Sequence, residues 1–441
     1  MPHAPRTSKL ARSAIVGAAA AQAGATQLAR SATRLVQRNG NAADQEAARA
    51  EHEAKMGRIA FTALNQLKGT ALKASQLLSM ELGLLPEGVR QQLARAHYQV
   101  TPLNRALVLK QLRQELGDSP EALFADFDLQ AFAAASLGQV HAATLFSGEA
   151  VAVKLQYPGM AATIQSDLSM LRLLLKGISL GPEALPNADI QARVMDNIAQ
   201  TLTQELDYVH EAQQLQWFAQ HLQHPQLVLP QPYMDRTTPR VLTMQRLHGL
   251  HLAEWLATQP SQAQRDHYGQ LLWDTFMQCA WGLQRLQADP HAGNYLFMEG
   301  GRLGLLDFGC TRTLSPLFCE QAAIAWKAVL RQPKDTAALR KAYLALDLID
   351  PALDLRRFET ELLPALAGWQ DWQCLPLQSA VYDFGQLPPP PQPDAAARRA
   401  ATLHMHALPP DLLHFDRAHL GLTEMLRSLG ARVRTTNPWI F

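Results

Sequence analysis

The chain has 441 residues, 47% of them hydrophobic, and 40 Lys and Arg against 39 Asp and Glu give a formal charge of +1. That is enough for a large core in two domains, or in one two-lobed domain with an extension. It excludes a global basic field of the kind that draws a protein to nucleic acid. Four cysteines, Cys279, Cys310, Cys319 and Cys374, lack metal-like spacing, and so few in this length point to a reducing compartment. No stretch reaches the ~18–20 uninterrupted apolar residues of a spanning helix. The nearest, Ala14 to Ala25 (AIVGAAAAQAGA), reads as a small-residue helix that rests on a membrane surface or packs on the core. The expected location is cytoplasmic, with peripheral attachment to the inner membrane surface allowed and no transmembrane helix.

Residues 1–50 are alanine-rich and poor in large apolar residues, so they are expected to be loosely ordered or in contact with a membrane. From Met56 a helical stripe begins, through Ile59, Ala60, Ala63, Leu64, Leu67, Ala71, Ala74 and Leu78. Lys73 and Gln76 sit three apart on this helix and project together; taken alone, they read as a solvated face. A short helix is expected through Arg95 and another over Pro102 to Leu116.

The block FAAASLGQVHAATLFSGEAVAVKLQYPG follows. Val140 to Phe146 and Ala150 to Gln156 read as strands around Ser147-Gly148. Lys154 is the only charge in the second strand, and its ammonium must be paired or face a cleft, because unpaired burial is costly. Ala133, Ala134, Ala135, Ser136, Leu137 and Gly138 precede these strands as a small-residue loop. Such residues let backbone approach phosphates, but alanine has far less access to positive φ than glycine.

Leu168 to Leu175 reads as a helix, and Asp189 to Phe218 as a long one containing QELDYVHEAQQ. On it Asp207 and Glu211 share a face and Glu205 lies off that face; one of these carboxylates is a candidate counter-ion for Lys154. Leu227 to Leu229 and Arg240 to Gln245 read as strands, and Leu247-His248-Gly249 as a hinge. Helix then runs from Leu252 through Leu286, interrupted near Pro260.

The next stretch, QADPHAGNYLFMEGGRLGLLDFG over Gln287 to Gly309, carries the chemistry. Tyr295 to Met298 and Arg302 to Leu306 form a hairpin pattern around Glu299-Gly300-Gly301. The hairpin returns Asp307 to Asn294, with Asp289 nearby. Mg²⁺ takes hard oxygen ligands and usually only one or two from protein. This loop–hairpin–DFG order is that of kinase-type phosphoryl-transfer sites, and VAVK matches the strand lysine of such sites. A second DFG, Asp383-Phe384-Gly385, has no D-x-x-x-x-N loop upstream and no apolar strand feeding it, so it reads as a decoy. Helices are expected over Pro316 to Arg331, Thr336 to Leu346, Leu353 to Leu366 and Ala395 to Gly430, with a proline-rich linker at Leu387 to Pro393.

Together these motifs resemble the UbiB, or AarF-domain (ADCK), atypical protein-kinase-like family, from roughly Leu64 to the C-terminus. KASQ resembles its K-x-G-Q motif, AAASLGQVHAA its alanine-rich loop and VAVKLQYPG its lysine strand. ELDYVHEA resembles its E-x-D segment and the helix glutamate that follows, and QADPHAGN and DFG its catalytic and metal loops. Three positions depart from the pattern: Ser75 replaces the motif glycine, Gln287 the usual histidine, and Gln245 a common acidic hinge residue. Gln287 is the weakest match and is expected to loosen the catalytic loop.

The resemblance implies an α+β, two-lobed protein-kinase-like fold with an N-terminal helical extension. Its expected divisions are 1–50, an extension at 51–117, an N-lobe at 118–247 and a C-lobe at 248–441. It implies ATP or ADP with Mg²⁺ (or Mn²⁺) as cofactors. Asn294 and Asp307 would hold the metal. Lys154 would hold the phosphates beside Ala133, Ala134, Ala135, Ser136 and Gly138. Glu211 would orient Lys154, and Asp289 would act as the catalytic residue. Lys73, Gln76, Glu205 and Asp207 would occlude the site from protein substrates. ATPase activity supporting ubiquinone biosynthesis is then expected, with membrane lipid or quinone-biosynthesis proteins as partners, no nucleic acid, and a homodimer allowed. The alternatives are a nucleotide-gated lipid- or complex-binding pseudokinase and a small-molecule phosphotransferase.

Overall fold

The computed structural model describes residues 14–15, 17–19, 21–26, 42–67, 70–80, 102–135, 137–178, 188–289 and 291–440. These divide into two compact units. The first comprises Met1–His210 and Tyr233–Met244, the second Glu211–Pro232 and Gln245–Phe441.

The first unit is a sheet with helices. Strands β1 (Asp126–Ala135), β2 (Gly138–Thr144), β3 (Ala150–Gln156) and β5 (Val241–Gln245) are ordered β1-β2-β3-β5, and β1-β2 and β2-β3 are antiparallel. Only the end of β1, Ala133–Ala135, lies where a loop was expected; the rest of the strand was not anticipated. Its alternating pattern of exposed and half-buried residues carries too few large side chains to announce a strand. Helix α3 (Arg105–Leu116) starts at Asn104, whose side chain accepts from the Leu107 N–H, and ends at Gly117 with φ 84°. It contributes Val108 and Leu112 to a core with Phe124, Val151, Val153, Leu155 and Val241.

The helical extension is α1 (Ala42–Leu67) and α2 (Thr70–Met80), which packs on α4 (Met160–Ile178) and α5 (Ala188–Glu205). The predicted stripe is the buried face: Met56, Ile59, Ala60, Ala63, Leu64, Ala71, Ala74 and Leu78 are all buried. Helix begins earlier than expected, at Ala42. Ala19 and Ala23, one turn apart in the small-residue helix, are buried. The short helix expected through Arg95 lies outside the described residues.

The single long helix expected over Asp189 to Phe218 is two. α5 ends at Glu205, and α6 (Tyr208–His221) begins after Asp207. The Asp207 side chain accepts from the N–H groups of Val209 and His210. This N-cap satisfies the exposed donors of a new helix and breaks the run.

In the second unit, β4 (Leu227–Val228), β8 (Arg302–Leu305) and β7 (Tyr295–Met298) form one sheet, and β6 (Arg285–Gln287) pairs antiparallel with β9 (Thr311–Thr313). Helices α7 (Leu252–Ala257) and α8 (Gln262–Met277) precede β6, and a π turn at Gln278–Gly282 ends the second of them. After β9 come α9 (Pro316–Leu330), α10 (Thr336–Ala345) and α11 (Leu363–Cys374). The second DFG does have a strand before it: β10 (Val381–Asp383) pairs with β11 (Arg432–Arg434). Its Asp383 accepts from the Gly385 N–H and pairs with Arg432 at 3.9 Å, and Phe384 is a core residue against Trp273. The last helical region is split into α12 (Ala395–His404) and α13 (Pro410–Leu429).

Candidate active site

In the first unit, Lys154 pairs with Val140 in the β2–β3 ladder and is buried. Its ammonium lies 4.9 Å from the centre of the Tyr208 ring, a cation–π contact. Ala133, Ala134 and Ala135 end strand β1, opposite Val140, Gln139 and Gly138. Gly138 is demanded by packing: a Cβ there would lie 2.2 Å from the Leu155 carbonyl oxygen and 2.8 Å from the Tyr208 hydroxyl. Ser136 lies outside the described residues.

A polar chain that the sequence reading missed stiffens this strand pair. The Leu103 N–H donates to Gln139 Oε1 (2.7 Å), Gln139 Nε2 meets His141 Nε2 (2.7 Å), and His141 Nδ1 meets the Asp128 carbonyl (2.8 Å). Only a neutral imidazole with its proton on Nδ1 satisfies both contacts. Burial, which lowers the His141 pKa, keeps it in that form. Gln139 and His141 both follow the glycine of the motif, and their one signal was polar residues alternating along an otherwise apolar strand.

Lys73 and Glu205 form a buried ion pair, Nζ to Oε1 3.3 Å, each side chain 6% exposed. This differs from the solvated-face reading of Lys73. Thr70, one turn earlier, bonds the buried Asp167 of α4 and lies 3.0 Å from Thr163. Asp207 is exposed and caps α6. The side chains of Gln76 and Ser75 lie outside the described residues.

The second unit holds Asp289, Asn294, Asp307 and Glu211. The Asn294 Nδ2 donates to the Asp289 carbonyl (2.9 Å), as does the His291 N–H (2.8 Å), and the Leu306 N–H donates to the Asn294 carbonyl (2.9 Å). These bonds close the loop and return the chain after the hairpin to its base. Because the Asn294 amide nitrogen is engaged, its carbonyl oxygen is the face left for a hard cation. One Asp307 oxygen accepts from the Gly309 N–H (2.9 Å). A Cβ built on Gly309 would lie 3.4 Å from Asp307 Oδ1 and 3.5 Å from Glu211 Oε2, so both carboxylates converge on that glycine. Asn294 and Asp307 thus offer an amide oxygen and a carboxylate, a donor set that fits Mg²⁺ with the remaining ligands drawn from phosphate and water.

Gln287 does not loosen this loop. Its amide nitrogen donates to the carbonyls of Asp289 (3.3 Å) and Asp307 (3.1 Å), and its oxygen accepts from the Tyr295 hydroxyl (3.1 Å). Burial raises the Tyr295 pKa, keeping the phenol a donor. The Ala288 N–H also donates to the Cys310 carbonyl (2.7 Å). Phe308 is fully buried against Phe218 of α6, ring centres 4.9 Å apart. Beneath lies a cavity of about 30 Å³ bordered by Gln287, Tyr295, Phe308 and Cys279. All four cysteines are buried and none is in a disulfide.

The profile of the ABC1 atypical kinase-like domain matches residues 95–342. The chain belongs to the ABC1 atypical kinase-like family. ABC1 relatives include Protein ACTIVITY OF BC1 COMPLEX KINASE 8, chloroplastic, from Arabidopsis thaliana, 32% identical over 66% of this chain and 38% of its own length. Another is Atypical kinase COQ8, mitochondrial, from Saccharomyces cerevisiae, 32% identical over 58% of this chain and 50% of its own. The chain thus spans half or less of the length of these two curated relatives. Among solved structures, that of Rv3197 with erythromycin from Mycobacterium tuberculosis superposes with a TM-score of 0.60 at 26% identity, covering 89% of this chain and 96% of that one. The ABC1 fold is α+β and kinase-like, as the motifs implied.

Proposed function

We propose that the protein binds an adenine nucleotide with Mg²⁺ and hydrolyses it, in support of ubiquinone or other isoprenoid-lipid biosynthesis. The observation that carries this reading is the second unit's loop, in which the Asn294 amide nitrogen donates to the Asp289 carbonyl and an Asp307 oxygen accepts from the Gly309 N–H, an order that supports kinase-type metal ligation. In this reading Lys154 binds the phosphates beside the Ala133–Ala135 strand end, Glu211 orients Lys154, and Asp289 positions the attacking water. Mg²⁺ would neutralise the phosphate charge. The buried Lys73–Glu205 pair would help keep protein substrates out. The homology to COQ8 supports the quinone pathway. The reading includes peripheral attachment through lipid or a biosynthetic complex; among the described residues no helix is long and apolar enough to cross a membrane.

ATP hydrolysis measured with and without liposomes tests this. Turnover that requires Mg²⁺ and falls at least ~100-fold in Asp289→Asn is expected. Nucleotide binding without turnover, unchanged in Asp289→Asn, would favour a nucleotide-gated binding protein instead.

A further inference from the structure

Gln287 makes three directed contacts in the second unit: two donated to the backbone of two different loops, one accepted from a buried phenol. The carbonyl of Asp289 belongs to the loop that ends at Asn294, and that of Asp307 to the metal loop. We propose that Gln287 is a positioning residue that locks these two loops in register, and that as a neutral amide it does so independently of pH. This rests on the nucleotide reading above for its consequence, not for its geometry.

A side-chain amide is suited to this place. It carries two N–H donors and an acceptor oxygen on one plane, and none of them titrates. Neutral imidazole has one donor and one acceptor, so it would leave one loop carbonyl untied. Imidazolium has two donors and no acceptor, so it would leave the Tyr295 hydroxyl unanswered. Asparagine is one methylene too short to reach from β6 to the same carbonyls. Tyr295 completes the device. The two carbonyls only accept, so they fix which way the amide is turned, and its oxygen is left to accept from the Tyr295 hydroxyl.

The alignment matters because Asp307 and Asn294 are the proposed metal ligands and lie on the two loops. The Leu306 N–H to Asn294 carbonyl and Ala288 N–H to Cys310 carbonyl bonds tie the loops through backbone, and Gln287 adds a side-chain tie to both Asp289 and Asp307. Together they fix the rotation as well as the separation of the ligands. Mg²⁺ is intolerant of loose geometry, so losing the side-chain tie should weaken metal-nucleotide binding more than it weakens the fold.

Two measurements on the full chain test this, with Gln287→Leu, Gln287→His and Tyr295→Phe. The first is hydrogen exchange without nucleotide. Gln287→Leu should speed exchange at His291, Asn294, Leu306 and Gly309 together, with no general loss of protection elsewhere. Unchanged protection at these amides overturns the proposal, whatever the protein binds. The second is Mg-ATP affinity between pH 5.5 and 8.5, as the ratio of variant to wild type, which cancels the titration of the nucleotide. Gln287→Leu should bind on the order of tenfold more weakly at a constant ratio, and Tyr295→Phe less so. Gln287→His should give a ratio that changes across about pH 6.5. Ratios near one for all three, with binding still lost in Asp307→Asn, overturn the positioning role and leave the nucleotide reading standing. Wild-type protein that fails to bind Mg-ATP overturns the nucleotide reading, and the exchange result then decides the clamp alone.

Discussion

At the scale of single residues, burial decides protonation, and protonation decides which contacts hold. His419 on α13 is 1% exposed, lies parallel to Phe415 and edge-on to Trp372, and has no hydrogen-bond partner among the described residues for either ring nitrogen. Burial pushes its pKa down to about 4. His141 and His414 are also lowered, the latter to about 2 by burial and then by Arg417 and Arg312. A depressed histidine contributes stability that is complete above its unfolded pKa near 6.5 and is lost as pH falls toward the folded value. For His419 alone the loss between pH 7 and 5 is about 2 kcal/mol. Urea midpoints at the two pH values should therefore differ less in His419→Phe than in wild type, with pH 7 stability nearly kept. An unchanged pH 5 deficit would place the acid sensitivity elsewhere. None of this was legible in the sequence, because a histidine among apolar residues looks the same whether its ring is caged or solvated.

At the scale of elements, two contacts set where the first unit's helices stop and how they are joined. Asp207 caps α6, so Asp207→Ala should cost about 1 kcal/mol, and Asp207→Asn much less. Equal losses would mean that charge matters more than the cap. The Lys73–Glu205 pair joins α2 to the end of α5 with both charges shielded. Truncating either partner should cost roughly 3–5 kcal/mol, since it strands a buried charge, whereas replacing both with methionine should cost far less. A double-mutant cycle by denaturant unfolding measures this; additive single effects would refute the coupling. The helical stripe from Met56 to Leu78 was readable because large apolar residues recur at helical spacing. β1 and the break at Asp207 were not. The first ends in a run of alanines and carries acids and a glutamine among its apolar residues, and the second is a local capping choice within a run that otherwise keeps helical period.

At the scale of the whole molecule, the family and its hairpin were the most legible part. The hairpin between Asn294 and Asp307 was read correctly, since strand alternation and glycine turns act locally. What spacing could not give was the effect of Gln287, because its partners are backbone carbonyls of Asp289 and Asp307 and a phenol eight positions on. Membership of the ABC1 atypical kinase-like family agrees with this arrangement, and the short share of COQ8 that is matched leaves the pathway to be tested in cells. Loss of the protein, or Lys154→Ala, should lower ubiquinone content; unchanged quinone with an altered lipid profile would redirect the pathway. The central claim is that Asn294 and Asp307 hold Mg²⁺ for an adenine nucleotide, and a thermal shift with Mg-ATP tests it most directly. Wild-type protein at a nucleotide concentration about 100-fold above Kd should gain about 3 kcal/mol, seen as several degrees in Tm. The gain should vanish with EDTA and in Asp307→Asn. Equal shifts in wild type and Asp307→Asn, or none in either, would contradict it.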